Sequence, residues 1–205
     1  FEDIKQALKM TDVLSNKLGF DRAHREDYQD EIDKMMVEEG FGPHLSSNNF
    51  QTDPPLHTTR RALVDQAFTA KRVEGMEARI AEITNEVLLQ FIDRGSADFV
   101  KEFAIPIPMI IIAEQLGLSE VRMEEFRRWS DAAVGPFGRG LSREQAIDCA
   151  RDIMAMHKFL AAEIEMRREM RTDDLISGLV YAQLDDGTSL NMAELLSCCV
   201  ALLAA

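Results

Sequence analysis

The chain is organised around the stretch Phe50-Gln51-Thr52-Asp53-Pro54-Pro55-Leu56-His57-Thr58-Thr59-Arg60-Arg61-Ala62-Leu63-Val64. Its pattern is that of a helix start. Asp53 is a favourable N-cap residue, and Pro54 and Pro55 then fall in the first turn, where a missing N–H group costs nothing. The sequence therefore predicts a helix that begins at Asp53 and runs to about residue 68.

His57 and Arg61 are the candidate binding residues of this helix. They stand four positions apart, so their side chains project from one face with Cβ atoms roughly 5–6 Å apart. An imidazole N–H beside a planar guanidinium suits a carboxylate or a phosphate, because charge-assisted hydrogen bonds are about twice as strong as neutral ones. A solvated helix face explains the same spacing, and the spacing alone does not decide between the two.

The composition favours a soluble, cytoplasmic globular protein. The 205 residues include 46% apolar residues, enough for a substantial core, and the net charge of −13 argues against nucleic-acid binding. The longest apolar runs, residues 104–113 and 199–205, are shorter than the roughly 20 residues of a membrane span, so no membrane segment is expected. Cys149, Cys198 and Cys199 form no pattern of spaced pairs, which favours reduced thiols and no metal site in this chain.

The remaining sequence predicts a mainly α-helical fold. Helices are predicted at residues 1–9, 33–39, 72–94, 109–116, 119–134 and 142–171, then from Thr172 and from Asn191. Ser142 and Gln145 match a capping box, and Gly95 and Gly117 are expected to end the helices before them. A short extended segment is predicted within residues 98–105. Residues 195–205 are apolar on every side, which places the last helix inside a large core.

The residues 53–61 and the following Phe68-Thr69-Ala70-Lys71-Arg72-Val73 resemble the C-helix region of bacterial cytochromes P450, the haem-thiolate monooxygenases. The likeness extends over the entire chain, including residues 167–177 and 195–205. It implies a cytochrome P450-like helical fold with little β-sheet, in which residues 1–205 are a single, partial domain. The family's N-terminal strands and its C-terminal haem-ligand half are then absent from this chain.

The resemblance also implies roles for particular residues. His57 and Arg61 match the residues that bind the haem propionates. The segment around residues 36–45 matches the variable loop that closes over the substrate, and pocket residues are then expected at Met36, Phe41 and Leu45. A loop pinned to its own core by these hydrophobic side chains is an equal alternative.

The alanines near the end of the chain match the helix turn above the haem, where small side chains leave room for substrate and dioxygen. They are Ala201, Ala204 and Ala205. Close helix packing explains small residues here as well, so both interpretations stay open.

The implied activity is that of a hydroxylase. Haem (heme, iron protoporphyrin IX) supports insertion of one oxygen atom from dioxygen into an apolar small molecule, with electrons from a ferredoxin-like protein that binds near Arg60, Lys71 and Arg72. The resemblance places the family's acid–threonine pair, its Glu-x-x-Arg motif and its iron-ligating cysteine in segments that have no counterpart in this chain. None of its three cysteines matches the ligand context. No catalytic or iron-binding residue is therefore assigned in this chain, and the 205 residues alone are expected to be inactive because the oxygen chemistry needs the thiolate.

Two other functions remain compatible with the residues. One is a non-catalytic helical module that binds apolar ligands. The other is an isoprenoid-processing helical enzyme, for which Asp173-Asp174 is the candidate metal-binding motif. An acidic pair in the first turn of a helix more often serves the helix dipole.

Overall fold

The computed structural model describes residues 1–15, 28–41, 52–118, 123–135 and 141–204, which form a mainly helical chain. In chain order the α-helices are α1 (Glu2–Ala7), α2 (Gln29–Glu38), α3 (Leu56–Ala67), α4 (Ala70–Gly75), α5 (Glu77–Leu89), α6 (Pro106–Gln115), α7 (Met123–Val134), α8 (Arg143–Glu169), α9 (Leu175–Val180) and α10 (Met192–Ala204). The described residues contain no β-strand, and an isolated antiparallel bridge joins Gln183 and Ser189. The mainly helical fold class is confirmed. The predicted helix start near Ser119 lies outside the described residues.

Helix α10 lies at the centre of the main core, because its first turns carry apolar side chains in every direction. Residues 195–199 are all buried, and α10 packs against α6, α7, α8 and α9. A capping box fixes its start: the Asn191 side chain accepts the Glu194 N–H and the Glu194 carboxylate accepts the Asn191 N–H, both at 3.0 Å. The central position predicted for this helix is confirmed for its first turns.

Helix α8 is the longest helix of the described chain and carries two packing surfaces. The predicted capping box is present, with Ser142 Oγ accepting the Gln145 N–H at 3.2 Å and Gln145 Oε1 accepting the Ser142 N–H at 2.9 Å. Its later turns bury an apolar stripe against α7, α9 and α10. Its first turns form a second, smaller core with α2, composed of Ile32, Ala146, Ile147 and Ala150.

The prediction of a single helix at residues 72–94 is wrong. The chain instead forms α4, α5 and a 3₁₀ turn at Ile92–Arg94. The break follows Gly75, and the Met76 N–H bonds to Val73 O at 3.1 Å in a tightened turn. Glycine costs about 1 kcal/mol relative to alanine inside a helix, which makes this a weak point. Gly95 does end the segment, with the left-handed φ of 67° that glycine adopts readily.

The prediction of a short extended segment within residues 98–105 is also wrong. Val100–Ala104 forms a π-helical turn, and the Ile105 N–H bonds to Val100 O at 3.0 Å. An extended segment needs a partner strand for its N–H and C=O groups, and the described residues offer none. The backbone therefore satisfies these groups within the turn.

A buried ion pair connects the ends of α6 and α8 to the start of α9. The helix predicted from Thr172 begins three residues later, at Leu175, and its cap is Asp174, whose Oδ1 accepts the Ser177 N–H at 2.7 Å. Asp174 Oδ2 accepts hydrogen bonds from Thr172 Oγ1 at 2.7 Å and from Arg167 Nε at 3.0 Å. Arg167 Nη2 also donates to Gly117 O at 2.9 Å. We call Arg167, Asp174 and Gly117 the Arg167 link. Asp174 thus pairs with a buried cation.

No helix in the part of the chain that the structure describes combines the length and the apolar character needed to cross a bilayer.

Candidate functional site

Helix α3 is held in place by one buried face and one ion pair. Leu63, Val64 and Ala67 are buried, and α3 packs against α9. The contact is close at Gly178, where a Cβ atom would lie 3.0 Å from the Cβ of Ala67. These contacts orient the opposite side of α3 away from the core.

Arg60 supplies the ion pair. Its Nη2 lies 2.8 Å from Oε1 of Glu194 in the first turn of α10, and both side chains are largely buried. Arg60 was expected near the surface that meets an electron donor. The structure instead places it inside the fold, where it ties α3 to α10. Lys71 and Arg72 were expected on the same electron-donor surface. Arg72 pairs with Asp173 at 2.9 Å, and Lys71 is exposed.

The start of α3 differs from its prediction. The helix begins at Leu56, Pro55 is the residue before it, and no side chain caps the N-terminus. Asp53 accepts the His57 N–H through its backbone oxygen at 3.1 Å, while its carboxylate accepts a hydrogen bond from Ser15 Oγ at 2.8 Å. The predicted Asp53 cap is wrong because the helix begins three residues later, at Leu56, and no side chain caps it.

His57 and Arg61 lie on the side of α3 that flanks the buried stripe. His57 is half-buried, and the Arg61 side chain is 58% exposed. Arg61 Nε lies 2.9 Å from Oδ1 of Asp65, one turn further along the helix. The two predicted site residues thus occupy one accessible helix face, as their spacing predicts.

The donors of this face suit the carboxylates of a haem. Arg61 presents a guanidinium with five N–H groups, and His57 adds a ring N–H. The Arg61–Asp65 pair is exposed and local, and such pairs contribute only about 0.3–0.5 kcal/mol. A ligand carboxylate therefore competes with Asp65 at little cost. The residues present fit the propionate-binding role that the resemblance implies.

The end of α10 is less enclosed than its start. Ala201 and Ala204 are half-buried, while Leu203 between them is buried and its backbone oxygen accepts a hydrogen bond from Ser130 Oγ at 3.0 Å. Described neighbours therefore do not bury either alanine fully. Ala205 lies outside the described residues.

Met36, on α2, and Phe41, just after that helix, pack against α8, whereas His57 and Arg61 belong to α3. Met36 is half-buried against the small core between α2 and α8. The Phe41 ring lies over the imidazole of His157, with ring centroids 5.6 Å apart. This placement accords with the alternative of a loop pinned to its own core, and it leaves a pocket role open. Leu45 lies outside the described residues.

A groove of about 540 Å³ lies between α7 and α8. Paired charges line much of it, including Arg128 with Asp152 at 2.8 Å, and the floor contains Cys149. Burial, followed by the charges of Asp152 and Asp148, raises the pKa of the Cys149 thiol, so this cysteine is protonated at neutral pH. No group of three or more His, Cys, Asp or Glu side chains within the described ranges is arranged to hold a metal.

Sequence reasoning missed two buried polar residues of α8, His157 and Arg167. His157 is 2% exposed and Arg167 is 5% exposed. Both belong to the apolar stripe formed by Ile153, Leu160 and Ile164 at spacings of three and four. That spacing is the signal that predicts their burial.

Comparisons with known proteins agree in sequence and in fold. No protein-family model matches the chain. Cytochrome P450 107B1 of Saccharopolyspora erythraea is 34% identical over 209 residues, which cover 100% of this chain and 48% of that protein. The 6-deoxyerythronolide B hydroxylase of the same organism is 40% identical over 163 residues, which cover 79% of this chain and 39% of that protein.

A solved structure with the same fold is the bacillaene polyketide synthase cytochrome P450 PksS of Bacillus subtilis 168. It superimposes with a TM-score of 0.77 at 26% identity and covers 100% of this chain and 47% of that one. The chain spans about half the length of the curated relatives it matches. Because similarity in sequence and in helical arrangement extends over the whole chain, the chain belongs to the cytochrome P450 family.

Proposed function

We propose that the chain is part of a haem-dependent monooxygenase that inserts one oxygen atom from dioxygen into an apolar small molecule. The observation that carries the proposal is the accessible face of α3, where His57 and Arg61 stand one turn apart and present donors for two carboxylates. The relative named as a hydroxylase of 6-deoxyerythronolide B supports the reaction type.

The residues of this chain contribute binding, orientation and exclusion of water. The haem supplies the oxygen chemistry, which no side chain of the chain offers. Arg61 binds one propionate in place of Asp65, and His57 donates its ring N–H beside it. Ala201 and Ala204 leave space on the last turn of α10, and Met36 and Phe41 contribute an apolar wall. Electrons come from a separate redox protein, for which a ferredoxin-like donor is the proposed class.

The domain organisation follows from the same proposal. Residues 1–205 are one incomplete domain, and the iron-ligating cysteine belongs to a part of the protein outside this chain. None of Cys149, Cys198 and Cys199 lies in the glycine-rich context of the family's iron ligand, which supports this assignment.

The test is haem retention in the full-length product of the gene. The reduced protein is exposed to carbon monoxide, and a red-shifted Soret band identifies a thiolate-bound haem. Arg61→Ala removes a charge-assisted hydrogen bond worth about 1.5–3 kcal/mol, so haem affinity is expected to fall roughly 10- to 150-fold. Arg151→Ala is the matched control, because Arg151 is similarly exposed and pairs with Asp148 one turn away on α8. It is expected to leave haem affinity unchanged.

Two results would overturn the proposal. Equal haem retention in both variants would remove His57 and Arg61 from the propionate site. A wild-type protein without haem, or with a spectrum typical of histidine ligation, would favour the alternative of a non-catalytic helical module that binds apolar ligands.

A further inference from the structure

Helix α2 is attached to α8 by an apolar contact and by two ion pairs. Near the start of α2, Ile32 is buried against Ala146, Ile147 and Ala150 of α8. One ion pair connects Glu31, beside Ile32, to Arg143, and the other connects Glu39, at the end of the helix, to Lys158. Both ion pairs are partly exposed, so each contributes little by itself. The attachment thus depends on the apolar contacts and on what lies beneath Phe41, just after the helix.

The residue beneath Phe41 is His157, and its environment disfavours charge. The imidazole is 2% exposed, its ring plane is tilted by 43° to that of Phe41, and Nδ1 has no hydrogen-bond partner in the described part of the chain. Burial lowers the pKa of His157 from 6.5 to about 4. A neutral ring packs here, whereas a charged ring loses its hydration without gaining a partner.

Several charged groups on the elements packed against α8 form ion pairs of their own. On α2, Glu31 and Glu39 pair with α8 cations, and on α7, Arg128 pairs with Asp152. At the start of α9, Asp174 pairs with Arg167, and the only charged residue of α10, Glu194, pairs with Arg60. Burial is the cause of the lowered pKa of His157, and no carboxylate offsets it.

We propose that α2 together with Phe41 is a pH-sensitive latch on α8, closed while His157 is neutral and released when His157 is protonated. In the closed state Phe41 and the α2–α8 contacts keep the imidazole away from water. Release exposes the ring, which then accepts a proton with the affinity of an ordinary histidine. Acid therefore favours the open state.

The sign and the size of the effect follow from the two proton affinities. The pKa of His157 is lower in the closed state than in the open state. The free energy by which a neutral His157 favours the closed state is therefore fully present above pH 6.5 and is lost progressively as the pH falls toward 4. With a pKa of about 4 closed and about 6.5 open, the ratio of closed to open molecules falls about 25-fold between pH 7.5 and pH 5.0.

The consequence for ligand binding rests on the proposed function. If Met36 and Phe41 contribute to the wall of a substrate pocket, acid loosens that wall and weakens binding of an apolar substrate. The latch itself requires neither haem nor substrate. Its test can therefore fail while the proposed function stands, and the haem-retention test can fail while the latch stands.

The experiment is hydrogen–deuterium exchange of the α2 amides in the full-length protein at pH 7.5 and pH 5.0, corrected for intrinsic exchange, with α5 as internal reference. In the wild type, protection of α2 is expected to fall about 25-fold relative to α5 at the lower pH. His157→Phe keeps a ring against Phe41 but accepts no proton, and it should abolish this fall. Lys158→Met breaks the pair with Glu39; it should lower protection equally at both pH values and leave the ratio between them intact.

Unchanged α2 protection in the wild type, or the same fall in His157→Phe, overturns the proposal. If His157→Phe does not fold, a titration of the wild-type imidazole by NMR takes its place. A His157 pKa below about 5 in the folded protein supports the latch, and a value near 6.5 overturns it.

Discussion

Replacing Asp174 by asparagine tests whether the Arg167 link holds the α6, α8 and α9 ends together. The change is nearly isosteric and removes one charge. Arg167 and Asp174 are both almost fully buried, and Nε lies 3.0 Å from Oδ2. Asp173→Asn is a matched control, because the neighbouring residue undergoes the same chemical change at a fully exposed position, where it pairs with Arg72.

The expected loss follows from what remains after the substitution. Removing one partner of a buried ion pair costs about 3–5 kcal/mol, because the other charge stays buried. Glu163 still pairs with Arg167, and an asparagine oxygen can still accept the Ser177 N–H. The free energy of unfolding should therefore fall by a value at the lower end, about 3 kcal/mol. Asp173→Asn should be indistinguishable from the wild type.

Urea denaturation followed by far-ultraviolet circular dichroism measures both variants. The midpoint for Asp174→Asn should fall with an unchanged dependence on urea, since the native and unfolded states keep their exposed areas. A difference between the two variants below about 1 kcal/mol would refute the reasoning, because Arg167 would then not depend on Asp174 for its charge compensation.

Two further experiments, each with its own control or partner variant, probe the contacts that position the helices. Gly117→Ala should lower the free energy of unfolding in urea by about 3 kcal/mol or more, because φ is +72° and the new Cβ would lie 2.3 Å from a buried carboxylate oxygen. Gly40→Ala is the control: its φ is +83° but the space around it is open, so it should cost only about 1–2 kcal/mol. Arg60→Met should cost about 1.5 kcal/mol by removing the cation that pairs with Glu194, and much of this loss should disappear when Glu194→Gln is added. Equal costs for the two glycines, or full additivity for the ion pair, would contradict these explanations.

Much of the helical framework was predictable because its signals are local. The capping box of Ser142 and Gln145 marks the start of α8, and Gly95 and Gly117 end segments where the backbone has positive φ. Such features depend on residues within one turn of each other, and their free energies do not need a distant partner.

The candidate site was predictable in part. The spacing of His57 and Arg61 predicts a shared helix face, which the structure confirms, whereas their propionate role remains a proposal. Arg60 illustrates the limit of prediction from sequence. Local sequence does not distinguish it from an ordinary surface cation, because its partner Glu194 lies 134 positions away. His157 was predictable as a buried residue from its stripe, but its contact with Phe41 was not.

Local chemistry is therefore sufficient for most of the helices, for the apolar stripes and for the shared face of His57 and Arg61. Tertiary contacts decided which polar residue serves each end. Asp174 rather than Thr172 caps α9 and also pairs with buried Arg167, whereas the carboxylate of Asp53 caps no helix and bonds to Ser15. The physical reason is that hydrogen-bonding groups are shared between local and distant partners, and only the folded chain determines which partner is close enough to bind.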